Sequence, residues 1–128
     1  MIFLDSSVVI AHLLAEDRTP PDALWQEELT ASRLLQYEVW NKLNARHLAR
    51  SHGEEARTLI DTIALIELSP AVLERALEPF PTPVRTLDSL HLASIEFLRQ
   101  QGQAIELASY DKRLTAAARA LSIAIMDL

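Results

Sequence analysis

The apolar positions along the chain alternate between two patterns. Ile2-Phe3-Leu4 is a short continuous apolar run, the mark of a strand buried on both faces. Val8, Val9, Leu13 and Leu14 then recur at helical spacing, with Ser6 or Ser7 as a cap. Pro20 and Pro21 mark a turn, and Asp22 is placed to cap a short helix through Leu24 and Leu29. Leu29 to Leu35 reads as a second strand, followed by a longer helix from Gln36 to Arg50. Gly53 stops that helix or breaks two helices in tandem, and the helical pattern continues from Glu54 to Thr62. Ile63 to Leu68 reads as a strand. Ser69-Pro70 opens a further helix, a cap followed by proline at the first helical position, which ends near Pro79. Beyond the stiff connection of Pro79, Pro81 and Pro83, a helix from Leu87 to Gln101 closes at Gly102. Ala104 to Ala108, Lys112 to Leu121 and Ile123 to Met126 complete the order as strand, helix and strand. Such alternation argues for an α/β fold with a parallel sheet and helices on both faces. No repeat or linker interrupts it, so 128 residues are expected to form one domain.

Composition removes whole classes of chemistry. The chain has no cysteine, which excludes disulfides, thiolate zinc sites, iron–sulfur clusters and a cysteine nucleophile. Together with the lack of a cationic, apolar leader, this reads as a cytoplasmic protein. The only two glycines, Gly53 and Gly102, lie too far apart to build a phosphate-cradling loop. No apolar run approaches the roughly 18 residues of a membrane span. A net charge of -6 speaks against a phosphate-binding protein, unless several carboxylates converge on a divalent cation that reverses the local field.

The placement of the acids therefore matters. In open α/β sheets, sites form beyond the carboxyl ends of the strands. Asp5 follows the first strand, and Asp111 lies shortly after Ala104 to Ala108. Glu38 and Asp88 stand out differently, because each sits in an apolar stretch where an unpaired buried charge is costly. Each acid also has a plain structural reading. Asp5 and Asp111 suit helix caps, Glu38 can pair with Lys42 one turn on, and Asp88 suits the first turn of its helix. Four acids at one sheet edge change that balance. Two carboxylates about 4 Å apart repel by about 4 kcal/mol at an effective dielectric near 20. Such a cluster calls for raised pKa values or a divalent cation, and oxygen-only ligands favour Mg²⁺ or Mn²⁺.

Four segments in order resemble the PIN-domain ribonucleases, in particular the VapC toxins of bacterial toxin–antitoxin pairs. They are Ile2-Phe3-Leu4-Asp5-Ser6-Ser7, Tyr37-Glu38-Val39-Trp40-Asn41, Thr86-Leu87-Asp88-Ser89-Leu90-His91-Leu92-Ala93 and Ser109-Tyr110-Asp111-Lys112-Arg113-Leu114. The one departure is Ser for Thr after the first Asp and before the last, which keeps the hydroxyl. The resemblance implies a three-layer PIN-like fold with sheet order 3-2-1-4-5. It implies that Asp5, Glu38, Asp88 and Asp111 form a catalytic pocket for Mg²⁺. Asp5, Asp88 and Asp111 would be the metal ligands, and Glu38 a ligand or the base. Ser6 and Ser109 would donate hydrogen bonds to a carboxylate or to metal-bound water. The implied activity is Mg²⁺-dependent endonucleolytic cleavage of RNA, such as tRNA or rRNA. The implied partners are a second copy of the chain and a VapB-like antitoxin.

Further residues carry two readings. Lys42, Arg46 and Arg50 recur every four residues after Glu38, as a phosphate track or a solvated face. Lys112 flanks Asp111 as a further RNA-binding candidate. His91 reads first as a hydrogen-bonded structural histidine. Trp40 suits core or interface, and Tyr110 is the best base-stacking candidate. The broad apolar face of the first helix suits full burial or a dimer contact. Two competing functions use much of the same inventory, a metal-dependent phosphohydrolase and a non-catalytic degenerate PIN-like module. A haloacid-dehalogenase-type phosphatase wants a second Asp at position 7, where this chain has Ser. A receiver-like switch wants paired acids after the first strand, where this chain has only Asp5. A degenerate module is expected to have lost one of the four acids.

Overall fold

A computed structural model describes residues 1–128. Five parallel strands form one sheet in the order β3-β2-β1-β4-β5, as the resemblance implies. The strands are β1 (Ile2–Leu4), β2 (Leu29–Ser32), β3 (Ala64–Ile66), β4 (Glu106–Ala108) and β5 (Ala124–Ile125). The helices are α1 (Ser6–Leu13), α2 (Leu34–Ala45), α3 (Ala49–Ile60), α4 (Pro70–Leu77), α5 (Thr86–Gln100) and α6 (Lys112–Ala120). A 3₁₀ turn at Asp22–Gln26 replaces the short helix expected there. It ends before Leu29, and Asp22 is inside it rather than capping it.

Strand β1 is central, and its continuous apolar run has a simple cause. Ile2 and Leu4 point into one core, with Val8, Val9, Leu35, Val39 and Leu43 from α1 and α2. Phe3 points into a second core on the opposite face, with Leu92, Ile95, Leu107 and Leu114. Successive strand side chains alternate faces, so a strand covered on both sides needs no polar position. Each fully buried residue of this size contributes about 1.5–3 kcal/mol of transfer free energy. The wide apolar face of α1 is also explained. Val8, Val9, Ile10, Ala11 and Leu13 are all buried within the chain, so they leave no free dimer face.

The expected helix from Gln36 to Arg50 is wrong at its end. Helix α2 stops at Ala45, and α3 starts at Ala49. The stop is His47, in the left-handed region at φ 57°. There the Leu48 N–H donates to the Leu43 carbonyl at 2.8 Å and the His47 N–H to that of Asn44 at 3.1 Å. This is the closure usually built on glycine. Gly53 instead lies inside α3, beneath the Trp40 ring. A β-carbon at Gly53 would meet Trp40 Cη2 at 2.9 Å. Its glycine is required by a close approach, not by a turn. Gly102, at φ 85°, does close α5 as expected. Ser69 caps α4, accepting from the Val72 N–H at 3.4 Å.

Candidate active site

The sheet order reverses between β1 and β4, which is where α/β sheets open a crevice at their carboxyl edge. Both strands deliver a residue there. The Asp5 N–H donates to the Ala108 carbonyl at 3.0 Å, so β1 and β4 end together. Asp5 follows β1, Ser109 and Asp111 follow β4, Glu38 projects from α2 and Asp88 from the first turn of α5. All four acids line one cleft of about 220 Å³, with Ser6, Lys42, Arg46, Glu16 and Arg18 among the other lining residues.

Asp5 is buried at 6% exposure, and its carboxylate does not cap α1. Instead Oδ2 accepts two hydroxyl hydrogen bonds, from Ser7 at 2.6 Å and from Ser109 at 2.8 Å. Ser7 in turn accepts from the Tyr110 N–H at 3.0 Å, and Ser109 from the Asp111 N–H at 2.9 Å. Each hydroxyl thus fixes both the carboxylate and the β4–α6 turn. Ser6 lines the cleft, but the hydroxyls that hold Asp5 are those of Ser7 and Ser109. Side chains on a helix lean toward its N-terminus, so the second residue of α1, Ser7, points back at the residue before it.

Asp111 answers to both of its readings. Its Oδ1 caps α6, accepting from the N–H groups of Arg113 at 2.9 Å and Leu114 at 3.2 Å, while the residue still borders the cleft. Glu38 makes no ion pair with Lys42. Its Oε1 lies 2.7 Å from His91 Nε2, and the imidazole is almost wholly buried. Burial alone would lower the pKa of that ring. The Glu38 hydrogen bond and the charges of Glu38, Asp5 and Asp88 outweigh it, so His91 titrates above its ordinary value. His91 is therefore a hydrogen-bonded histidine, as read from sequence, and its partner is one of the four acids. Asp88 is pushed above the usual carboxylate range by burial, then by the charges of Asp111 and Asp5, against smaller opposing pulls from His91 and Arg85.

The donor chemistry suits a hard divalent cation. Asp5, Glu38 and His91 place one ligand-type atom each within 4.8 Å of one another. His91 Nε2 is already committed to Glu38 Oε1, and the other side chains of the cleft that can ligate a cation offer carboxylate oxygens. Oxygen-only sets favour Mg²⁺ or Mn²⁺. The Asp88 carboxyl, raised first by burial, is raised further by the negative charges of Asp111 and Asp5.

The basic candidates divide. Lys42 and Arg46 line the cleft, and Arg46 Nη1 lies 3.8 Å from Glu16 Oε2. Arg50 does not continue the series, because the break at His47 puts it on α3. Lys112 is exposed at the start of α6 and is not part of the cleft lining. Tyr110 already carries the Arg18 guanidinium on its ring, which removes it as an open stacking surface. Trp40 is packed between Gly53 and Arg57, in keeping with a core role. Sequence reasoning passed over Ser7, Glu16 and Arg18. A larger groove of about 600 Å³ runs alongside, lined by Tyr37, Trp40, Asn41, Asn44 and Leu87. Glu38, which it shares with the cleft, is its only acid, so the concentrated charge lies in the smaller cleft.

A parallel α/β sheet with a carboxylate cleft at its switch point defines a class of acidic-site nucleic-acid and phosphoryl hydrolases. Residues 2–120 match the PIN domain family model, and the chain belongs to that family. Ribonuclease VapC47 of Mycobacterium tuberculosis is 28% identical over 126 residues, covering 93% of this chain and 90% of its own. Ribonuclease VapC35 of the same species is 26% identical over 129 residues, covering 98% and 96%. Two solved structures share the fold. The crystal structure of Mycobacterium tuberculosis VapC20, a toxin that cleaves the sarcin–ricin loop, gives a TM-score of 0.68 at 20% identity, over 91% of this chain and 95% of that one. A toxin–antitoxin complex from Klebsiella pneumoniae gives 0.70 at 18% identity, over 94% of each chain. The resemblance to VapC-type PIN ribonucleases read from four short motifs is borne out. No helix is long and apolar enough to cross a membrane.

Proposed function

We propose that this protein is a Mg²⁺-dependent endoribonuclease, with Mn²⁺ as a workable substitute, and the toxin of a type II toxin–antitoxin pair. The observation that carries this reading is the convergence of Asp5, Glu38, Asp88 and Asp111 on one cleft at the sheet's switch point. The VapC ribonucleases among its relatives support it. Asp5 is the anchor, held rigid by Ser7 and Ser109 with its second oxygen left free of protein hydrogen bonds. Asp88 and Asp111 are the further ligands. Glu38, oriented by His91, is placed to ligate or to take a proton from the attacking water. A divalent cation bound there supplies charge that makes water more acidic and offsets the negative phosphate. Lys42 and Arg46 give the substrate backbone a positive side to the cleft.

A structured RNA such as tRNA or rRNA fits this reading, and the sarcin–ricin-loop toxin with the same fold lends it support. So does a VapB-like antitoxin partner, given the toxin–antitoxin complex of similar fold. The working form is a cytoplasmic homodimer of this one-domain chain. The test is incubation of purified protein with total tRNA and rRNA in Mg²⁺ or EDTA, with Asp5→Asn alongside. Cleavage that needs both the metal and Asp5 is expected. Metal binding without cleavage of any RNA would favour phosphatase chemistry. Neither binding nor cleavage would favour a degenerate module.

A further inference from the structure

The loop after α1 brings Glu16 and Arg18 to the acidic cleft. Five carboxylates border that cleft, from Asp5, Glu16, Glu38, Asp88 and Asp111. Arg18 pairs with none of them, since no carboxylate oxygen lies within 4.0 Å of its guanidinium. It is held by Tyr110 instead. The guanidinium carbon lies 4.9 Å from the Tyr110 ring centroid, and Nη1 donates to the Tyr110 carbonyl at 3.5 Å. Tyr110 is fixed in turn, by its N–H bond to Ser7 and by packing against the core. An arginine with a merely structural role in this cleft would be expected on a carboxylate. Here the group sits over the ring with one Nη1 bond to the Tyr110 carbonyl, which leaves its remaining donors free and its charge unpaired with any carboxylate.

That arrangement answers a difficulty in the ribonuclease reading. A polyanion must approach a cleft lined by acids, and a fixed cation at the border offsets the repulsion. A guanidinium edge matches two phosphate oxygens at once, and a group already ordered loses less freedom on binding. We propose that Arg18, seated on Tyr110, grips a backbone phosphate of RNA entering the acidic cleft. The proposal rests on the ribonuclease reading. Because the gripped phosphate flanks the reacting one, the contact is made equally in ground and transition states.

The experiment measures steady-state RNA cleavage together with binding of a short mixed-sequence RNA in EDTA, across about 50 to 200 mM salt. For Arg18→Ala, KM is expected to rise about tenfold with kcat little changed, the loss of one charge-assisted contact. The slope of log affinity against log salt should fall by about 0.7, the value for one phosphate on a single strand. Arg18→Lys should restore the slope and only part of the affinity, since it keeps charge without the planar fork. Tyr110→Phe, which retains ring and carbonyl, should match wild type, whereas Tyr110→Ala should raise KM. Circular dichroism checks that each variant is folded. Unchanged KM and salt slope in a folded Arg18→Ala, while wild type cleaves RNA, would overturn the grip alone. Wild-type protein that neither binds nor cleaves RNA would overturn the ribonuclease reading and the grip together.

Discussion

Neutralising Asp88 should have opposite effects on stability with and without metal. Its carboxyl is raised by burial, then by Asp111 and Asp5, so its charge opposes folding in the metal-free protein. Two unit charges about 4 Å apart interact by about 1 kcal/mol in water and more where water is excluded. The cleft is open and Asp88 is only partly buried, so the lower figure applies after screening. Burial and two repelling neighbours, against the opposing pulls of His91 and Arg85, leave a net cost on the order of 1 kcal/mol, the scale of a partly exposed charge interaction. For a chain of this size that corresponds to about 4 °C in Tm. Asp88→Asn should therefore melt about 4 °C above wild type in EDTA at neutral pH. The sign fixes the pH dependence. The folded chain protonates Asp88 before the unfolded chain does, so the cost is full at neutral pH and recedes as pH falls through the raised value. It is gone below the ordinary value of 3.8, and the variant's advantage should vanish there. Saturating Mg²⁺ should reverse the order. A ligand at 100 times its Kd stabilises by about 2.7 kcal/mol, and the variant forfeits much of that. Differential scanning fluorimetry with EDTA and Mg²⁺ arms reads both effects. Equal melting of the two proteins in EDTA, or equal stabilisation by Mg²⁺, would refute the reasoning.

Other expectations follow from the same geometry. Ser109→Ala removes a hydroxyl that donates to buried Asp5 and accepts from Asp111, and should cost about 1–3 kcal/mol in urea denaturation together with most activity; wild-type stability would contradict that role. The raised pKa of His91 means that its pairing with Glu38 stabilises the fold fully below the ordinary 6.5 and is lost as pH rises through the raised value. His91→Gln should flatten the stability profile of the metal-free protein in that window, and an unchanged profile would exclude the pair. His47→Gly relieves a left-handed residue and should stabilise by about 1 kcal/mol, whereas Gly53→Ala should destabilise by about 1 kcal/mol or more through its contact with Trp40. Denaturation midpoints moving the other way would contradict these assignments.

The two-sided burial of β1 was legible because a three-residue apolar run between turn signals admits few alternatives, whereas the strand order came only from the resemblance of four short motifs to a known family. Asp5, Glu38, Asp88 and Asp111 were legible because strand ends and acids in apolar stretches are visible in a linear pattern. The break between α2 and α3 was not. It depends on a histidine taking the left-handed conformation, which composition assigns to glycine, while the nearby glycine serves a packing contact. That single shift removed Arg50 from the side of α2. Ser7 was hidden for a different reason, since two adjacent hydroxyls look alike until the lean of helical side chains is considered. Arg18 was hidden because its place depends on how the loop after α1 folds back, and no periodicity encodes that.

In the proposed reaction the acidic cleft directs water at a phosphodiester of RNA. Cleavage in heavy-oxygen water, followed by mass spectrometry of the product ends, tests it most directly. One solvent oxygen is expected on the new terminal phosphate, with no product in EDTA or from Asp5→Asn. A 2′,3′-cyclic phosphate end without solvent oxygen, formed equally well in EDTA, would contradict it.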